Sequence, residues 1–298
     1  MIGPMTRAIG VDIGGTQTRV AAVEGERILA RRAFATRGIR EVEEAIREVL
    51  ANVGWNHPAT IGVGGPGPMD MRGGKMLGCP NLPHWNGVEV TKELRNAFGC
   101  PVYLANDATC AAIGELAFGH RSRDFVYVTW STGIGGGIVS GGRVVWGVTG
   151  QAGEIGHVVL RPDGSPCRCG KRGCLEAMAS GVGIARAAAE TLGESLTARE
   201  VVDRARRGDS AADAIVSDAC RALGQGIAIL SELLEPELIV LGGGLTGSWG
   251  FLGPRVRAAA KAMARGEPRI ELTPLGDDVG LLGAAALPAH FPVEWRSA

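Results

Sequence analysis

Apolar residues run almost unbroken from residue 8 to 11 and give way after Asp12 to Gly14 and Gly15, the pattern of a buried strand that ends in a tight turn. Segments at 18–23 and Arg27–Ala35 continue it as a three-stranded meander. Residues 39–53 and 88–98 carry apolar side chains at helical spacing with charges on the other face, while 60–63 and 101–104 read as short strands. A helix over 108–118 follows Asn106-Asp107, and the polar stretch 121–123 is the best domain boundary. Beyond it the pattern repeats: a strand at Phe125–Trp130, a glycine turn over 131–137, and a hairpin of 138–140 with 143–146 around Gly141-Gly142. Helices are expected over 183–191, 197–206 and 211–234, then a strand at 238–241 that runs into Gly242-Gly243-Gly244. The order predicts an α/β fold of two domains, 1–119 and 120–298, with the last helix able to pack back on the first. Each domain is expected to be a mixed sheet flanked by helices, with its glycine turn facing a shared interdomain cleft.

Composition narrows the chemistry. The 298 residues suffice for two domains of ordinary size, and 31 basic against 31 acidic side chains leave no net charge to attract nucleic acid or an anionic membrane. No stretch approaches the apolar length of a membrane helix, and the N-terminus has no secretory pattern, so the expected location is cytoplasmic and the expected partner a small molecule. Three of the seven cysteines crowd between Cys167 and Cys174, a spacing that suggests a metal rather than disulfides.

Asp12-Ile13-Gly14-Gly15-Thr16 places bare backbone N–H groups and a hydroxyl beside a carboxylate at a strand end, as a Mg-nucleotide site requires. One such motif reads equally well as a hairpin in need of glycine. Ser131-Thr132-Gly133-Ile134-Gly135-Gly136-Gly137 and Leu241-Gly242-Gly243-Gly244 are two more, each just after an apolar strand, and three are uncommon. Neither a P-loop nor a strand–helix G-x-G-x-x-G unit is present. From about Ala8 to Ala286 the combination resembles the actin, Hsp70 and sugar-kinase superfamily, which implies two actin-like (ribonuclease H-like) domains. The resemblance implies ATP with Mg2+ held by Asp12, Gly14, Gly15 and Thr16 in one phosphate loop, by Thr132 and Gly133 in the second, and by Gly242, Gly243 and Gly244 at the adenosine. Ser131 stands where glycine is more frequent in that superfamily.

His157, Cys167, Cys169 and Cys174 supply one imidazole and three thiols within 18 residues, the inventory of a closed tetrahedral Zn2+ site, and the glycines and prolines among them let the chain turn sharply enough to bring the four together. Four protein ligands leave no position for a catalytic water, so the zinc is expected to be structural. Glu154-Ile155-Gly156-His157 followed by Cys167-x-Cys169-Gly170-x-x-Gly173-Cys174-x-Glu176 resembles the sugar and zinc signature of the ROK family. The resemblance implies hexose contacts at Gly65, Asn81, Asn106, Asp107, Glu154, His157 and Glu176, with Asp107 as the base that deprotonates the sugar hydroxyl. By position alone, at a strand end before a helix, Asp107 reads better as a helix cap than as a base.

These features together point to ATP-dependent phosphorylation of the 6-hydroxyl of glucose or a close hexose, by a homodimer or homotetramer as is common in the family. Kinases of N-acetylmannosamine, N-acetylglucosamine or fructose, and a polyphosphate-using glucokinase, are the alternatives within the fold. A sugar-responsive transcriptional regulator is the alternative of another class; a phosphate strand that starts by residue 7 leaves no room for a preceding helix-turn-helix.

Overall fold

The structure is a computed structural model and describes residues 7–79 and 82–296. In chain order the first elements are β1 (Arg7–Ile13), β2 (Gln17–Glu24), β3 (Arg27–Ala35), α1 (Ile39–Asn52), β4 (Thr60–Gly65), β5 (Met69–Asp70), β6 (Lys75–Met76), α2 (Val90–Phe98), β7 (Val102–Asn106) and α3 (Asp107–Phe118). There follow β8 (Phe125–Trp130), β9 (Ile134–Ser140), β10 (Arg143–Val144), α4 (Leu175–Ala179), α5 (Gly181–Leu192), α6 (Ala198–Arg206), α7 (Ser210–Leu234), β11 (Leu238–Gly242), α8 (Trp249–Met263), β12 (Ile270–Leu272) and α9 (Val279–His290). The chain divides into two compact units: residues 1–123 with 137–152 and 277–298, and residues 124–136 with 153–276. Among the described residues no helix is long and apolar enough to cross a membrane.

One strand order is used twice. The first sheet runs β3-β2-β1-β4-β7 and the second β10-β9-β8-β11-β12, each with its first strand in the centre. In the first sheet β1 and β2 pair antiparallel, as do β2 and β3, whereas β1, β4 and β7 run parallel. In the second, β8, β11 and β12 run parallel, and β9 turns back on β10 through Gly141 and Gly142 at φ +58° and +75°, the left-handed pair that a two-residue hairpin requires.

In the first unit Ile9, Val11, Ile13, Val20, Ile61, Val63 and Leu104 are fully buried, each such side chain contributing about 1.5–3 kcal/mol. The helix α1 meets the sheet through Val42, Ala45, Ile46 and Val49, the apolar face read from its spacing. α9 packs closely against α3, β4 and β1. Glycine makes that contact possible, since a Cβ at Gly10 would overlap the carbonyl of Leu281, one at Gly62 that of Ala284, and one at Gly283 that of Cys110. α9 is therefore buried nearly throughout its length, with Leu281, Leu282, Ala284, Ala285, Ala286 and Leu287 all inside.

Two details depart from the sequence reading. The glycine turn expected over 131–137 ends at Gly133, and Gly135, Gly136 and Gly137 belong to β9. Gly137 is glycine because a Cβ there would lie 2.6 Å from that of Ala112 and 2.7 Å from the carbonyl oxygen of Ala108, so the strand runs against the backbone of α3. The helix α8 was not expected after the third glycine turn; it carries Gly250, Gly253 and Pro254, which interrupt its apolar spacing.

Candidate functional site

In the first unit the parallel strands bring their carboxyl ends to one edge of the sheet. Asp12 of β1 pairs in register with Gly64 of β4, and Gly65 with Asn106 of β7. Asn106 caps α3, its Oδ1 accepting the Ala108 N–H at 2.9 Å, while Oδ1 of Asp107 accepts the same N–H at 2.7 Å. Both residues therefore take part in capping the helix. Asn81 lies outside the described residues.

After β1 the Gly14 N–H donates to the Gln17 carbonyl at 3.0 Å and closes a tight turn. Gly15 and Thr16 are exposed, and a Cβ added at Gly15 would meet nothing within 4 Å. Thr36 braces this loop from the end of β3: its hydroxyl donates to the Gly14 carbonyl at 2.7 Å, its N–H to the Thr16 carbonyl at 3.0 Å, and the Thr18 hydroxyl lies 2.9 Å from its own. Nothing in the sequence marks Thr36, twenty residues from the loop. Arg19 was also missed, although it faces Asp12 across the β1–β2 register. Its Nε donates to Asp12 Oδ2 at 3.1 Å and its Nη1 to the Asp277 carbonyl at 2.7 Å. The first turn of α9 reaches the same carboxylate, with Gly280 so close that a Cβ would lie 3.9 Å from it; a helix N-terminus there favours negative charge. The Cys79 thiol donates to the Pro66 carbonyl at 3.0 Å, and burial, followed by the nearby Asp107 charge, raises its pKa.

In the second unit β8 and β11 end side by side. After Trp130 the N–H of Ser131 donates to the Gly133 carbonyl at 3.0 Å, and the first amides of α5 tie the turn down: Gly181 N–H to Ser131 at 2.8 Å and Val182 N–H to Thr132 at 3.2 Å. Thr132 stays exposed. Gly242 closes β11, and Gly243 follows at φ +96° with its would-be Cβ 2.6 Å from the Trp130 carbonyl oxygen, so only glycine fits between the two turns. Gly244 begins the exposed turn beyond.

The cysteine loop of this unit is closed by its own backbone. Leu160 N–H donates to Gly173 at 2.8 Å, Gly173 N–H to Ser165 at 2.8 Å and Cys167 N–H to Lys171 at 2.8 Å. The ligand atoms of His157, Cys167, Cys169 and Cys174 all lie within 4.8 Å of one another. The Cys167 Sγ is 3.7 Å from His157 Nδ1, and the Cys169 and Cys174 sulfurs are 3.6 Å apart. Tetrahedral zinc with Zn–S bonds of about 2.3 Å spaces its sulfurs by a little under 4 Å, so the donor set fits that ion. Burial pushes the Cys174 thiol up to about 12 and raises Cys167. Cys169 is lowered, because against the desolvation that raises it the Lys171 amide, its neighbouring thiols and the Lys171 ammonium favour the thiolate.

His157 turns its other nitrogen away from the thiols: Nε2 lies 4.0 Å from Glu154 Oε2. Desolvation raises the pKa of Glu154, helped by the charge of Glu176 and opposed by His157. Glu176, on α4, accepts the Ile134 N–H through Oε2 at 3.0 Å, and Gly133 leaves that oxygen room, since a Cβ would stand 2.7 Å from it. The acidic residue that follows the last cysteine is thereby anchored to the end of the second glycine turn, a link no spacing in the sequence announces. Each unit thus gathers its own share of the expected residues: Asp12, Gly14, Gly15, Thr16, Gly65, Asn106 and Asp107 in the first, and Thr132, Gly133, Glu154, His157, Glu176, the three cysteines and Gly242 to Gly244 in the second.

Comparison with known proteins places this arrangement. The ROK family profile matches residues 8–290. A glucokinase of Thermotoga maritima is 36% identical over 309 residues, covering 95% of this chain and 98% of its own. An N-acetylmannosamine kinase of Yersinia pestis is 34% identical, covering 94% and 98%. Among solved structures, a ROK hexokinase from Thermus thermophilus superimposes with a TM-score of 0.84 at 36% identity, covering 94% of this chain and 97% of that one. A ROK glucokinase from Streptomyces griseus, solved with glucose and AMPPNP, gives 0.79 at 31% identity, with 94% and 98% covered.

Proposed function

The chain belongs to the ROK family, and on that premise we propose that it transfers the γ-phosphoryl group of ATP to the 6-hydroxyl of glucose, with related hexoses as further acceptors. The observation that carries the reading is the double orientation of His157, one nitrogen toward the thiols and the other toward Glu154, with Glu176 fixed nearby on the Ile134 amide. Carboxylates, an amide and an imidazole suit a polyol, since each can hold two hydroxyls or fix one in direction.

In this mechanism Asn81, Asn106, Asp107, Glu154, His157, Glu176 and the Gly65 backbone hold the hexose. Asp107 accepts the proton of the attacking hydroxyl. Amides of Gly15 and Gly133 and the hydroxyls of Thr16 and Thr132 stabilise charge on the transferred group, Gly14 shapes the first loop through its N–H on the Gln17 carbonyl, and Gly242 to Gly244 hold the adenosine. Asp12 orients the Mg2+ that accompanies ATP, and Arg19 keeps its carboxylate in place. His157, Cys167, Cys169 and Cys174 hold a structural zinc, which when bound fixes the histidine ring that faces the sugar. We place the enzyme in the cytoplasm, as a homodimer or homotetramer without a nucleic-acid partner.

The test is ADP release from ATP with glucose, mannose, fructose, glucosamine, N-acetylglucosamine and N-acetylmannosamine as acceptors. A strong glucose signal is expected, and silence with every sugar would overturn the assignment. Selective turnover of N-acetylmannosamine would favour the other activity found among its relatives.

A further inference from the structure

The start of β7 and the segment after α9 enclose a pocket of about 310 Å3, lined wholly by residues of the first unit. That volume lies at the lower end of the roughly 300–1,000 Å3 typical of small-molecule sites. Its apolar wall is aromatic: Tyr103, Phe291 and Trp295 line it, with ring centroids 5.1 Å apart for the first pair and 6.0 Å for the second. Its charged groups are Arg72, Arg95 and Arg296, and no acidic residue lines it.

Two of the guanidinia are already set in place. Arg72 stacks 4.7 Å from the Trp295 ring and donates to the Val148 carbonyl at 2.7 Å. Arg296 lies 5.9 Å from the Tyr103 ring and donates to the Pro288 carbonyl at 2.9 Å. Among the described residues none of the three arginines forms an ion pair with a carboxylate, unlike Arg19 and Arg204 of this chain. Three cations with no carboxylate partner among the described residues, set over an aromatic wall, complement a ligand that is flat and apolar at one end and negative at the other. Guanidinia held by carbonyls and stacked on rings lose little freedom when they bind an oxyanion.

We propose that this pocket binds a small planar organic anion, its flat body against Tyr103, Phe291 and Trp295 and its carboxylate, sulfonate or phosphate held by Arg72, Arg95 and Arg296. The pocket is separate from the residues assigned to hexose and nucleotide. It is joined to them by covalent structure, because β7 leads from Tyr103 to Asn106 and Asp107, and Phe291 follows directly on the helix whose first turn touches Asp12.

The full chain should be titrated calorimetrically with naphthalene-1-sulfonate, with the neutral naphthalene-1-methanol and with inorganic sulfate. One saturable site for the sulfonate is expected, with the neutral analogue and the bare ion each weaker by about tenfold or more. Arg95→Ala should weaken the sulfonate by about tenfold without a change in melting temperature, and Arg72→Ala should weaken it similarly while also losing the Trp295 and Val148 contacts. Arg47→Ala, beside the separate pocket around Trp55 and Phe98, should change nothing. Absence of a saturable site, equal affinity for the neutral analogue, or undiminished binding in both arginine variants would overturn the proposal. Hexose phosphorylation measured on the same samples keeps the two readings apart: its absence would remove the kinase assignment and leave the binding result standing.

Discussion

At the start of α3 one carboxylate is given two tasks, since Asp107 both accepts a helix amide and takes the proposed proton. Asparagine can keep the first task and not the second. Asp107→Asn should lower turnover by about 10^2 to 10^4 while calorimetric glucose binding persists; retained turnover would remove Asp107 from the base position. Glu176 is similarly divided, with one oxygen on the Ile134 amide and the other proposed to hold the sugar. Glu176→Gln can preserve the amide contact, so the glucose KM should rise by about tenfold with the ATP KM nearly unchanged, whereas Glu176→Ala should raise both. An equal effect of the two variants on ATP would show that the anchor has no consequence for the second glycine turn.

The proposed zinc gives the cysteine loop a dependence on a bound group. It has little regular structure of its own beyond isolated bridges such as Val159 with Cys174, and three of the four proposed ligands are thiols, which lose their protons when they bind metal. Removal of metal with a strong chelator should raise the glucose KM well above the change in ATP KM, open the loop to proteolysis near Arg168, and be reversed by added zinc. At the other extreme stands the α3–α9 pair, whose backbones meet at Gly283 and Cys110. Gly283→Ala should destabilise the fold by about 1–3 kcal/mol or more in urea, because the added methyl has no space to enter. These two elements also mark what a sequence discloses. The gathering of His157 with the three cysteines was legible, since those residues and the turn residues between them sit within one short stretch. The close crossing of α3 and α9 was not, because it depends on Gly114 and Gly283 facing partners far along the chain. Strands and glycine turns were read from short apolar runs that end in glycine, but Gly135 to Gly137 were assigned to a turn, since a strand pressed against a helix backbone also demands glycine.

Across the whole molecule the same strand order occurs twice, and the duplication announced by the paired glycine turns is the part of the architecture that the sequence conveyed most directly. The family resemblance carried by the Glu154 to Glu176 signature holds over residues 8–290. The bracing of the first loop by Thr36, the Arg19–Asp12 pair and the Glu176 anchor lay beyond it, because each is a contact between side chains or backbone groups brought together only by folding. Ligands taken up by the folded chain alone should raise its stability, and a hundredfold excess of glucose and a non-hydrolysable ATP analogue over their dissociation constants should each contribute about 2.7 kcal/mol. A thermal melt that ignores both ligands would contradict the proposed sites.

The first unit is interrupted, for its innermost helix comes after every residue of the second. On a translating ribosome β1, β4 and α3 are made early, yet the apolar surfaces that α9 covers stay bare until residues 279–290 have emerged. Vectorial, domain-by-domain folding is thereby denied to the amino-terminal unit. The nascent chain must carry an unfinished hydrophobic layer through nearly all of its synthesis, and the step that completes it is a late closure between segments more than 150 residues apart.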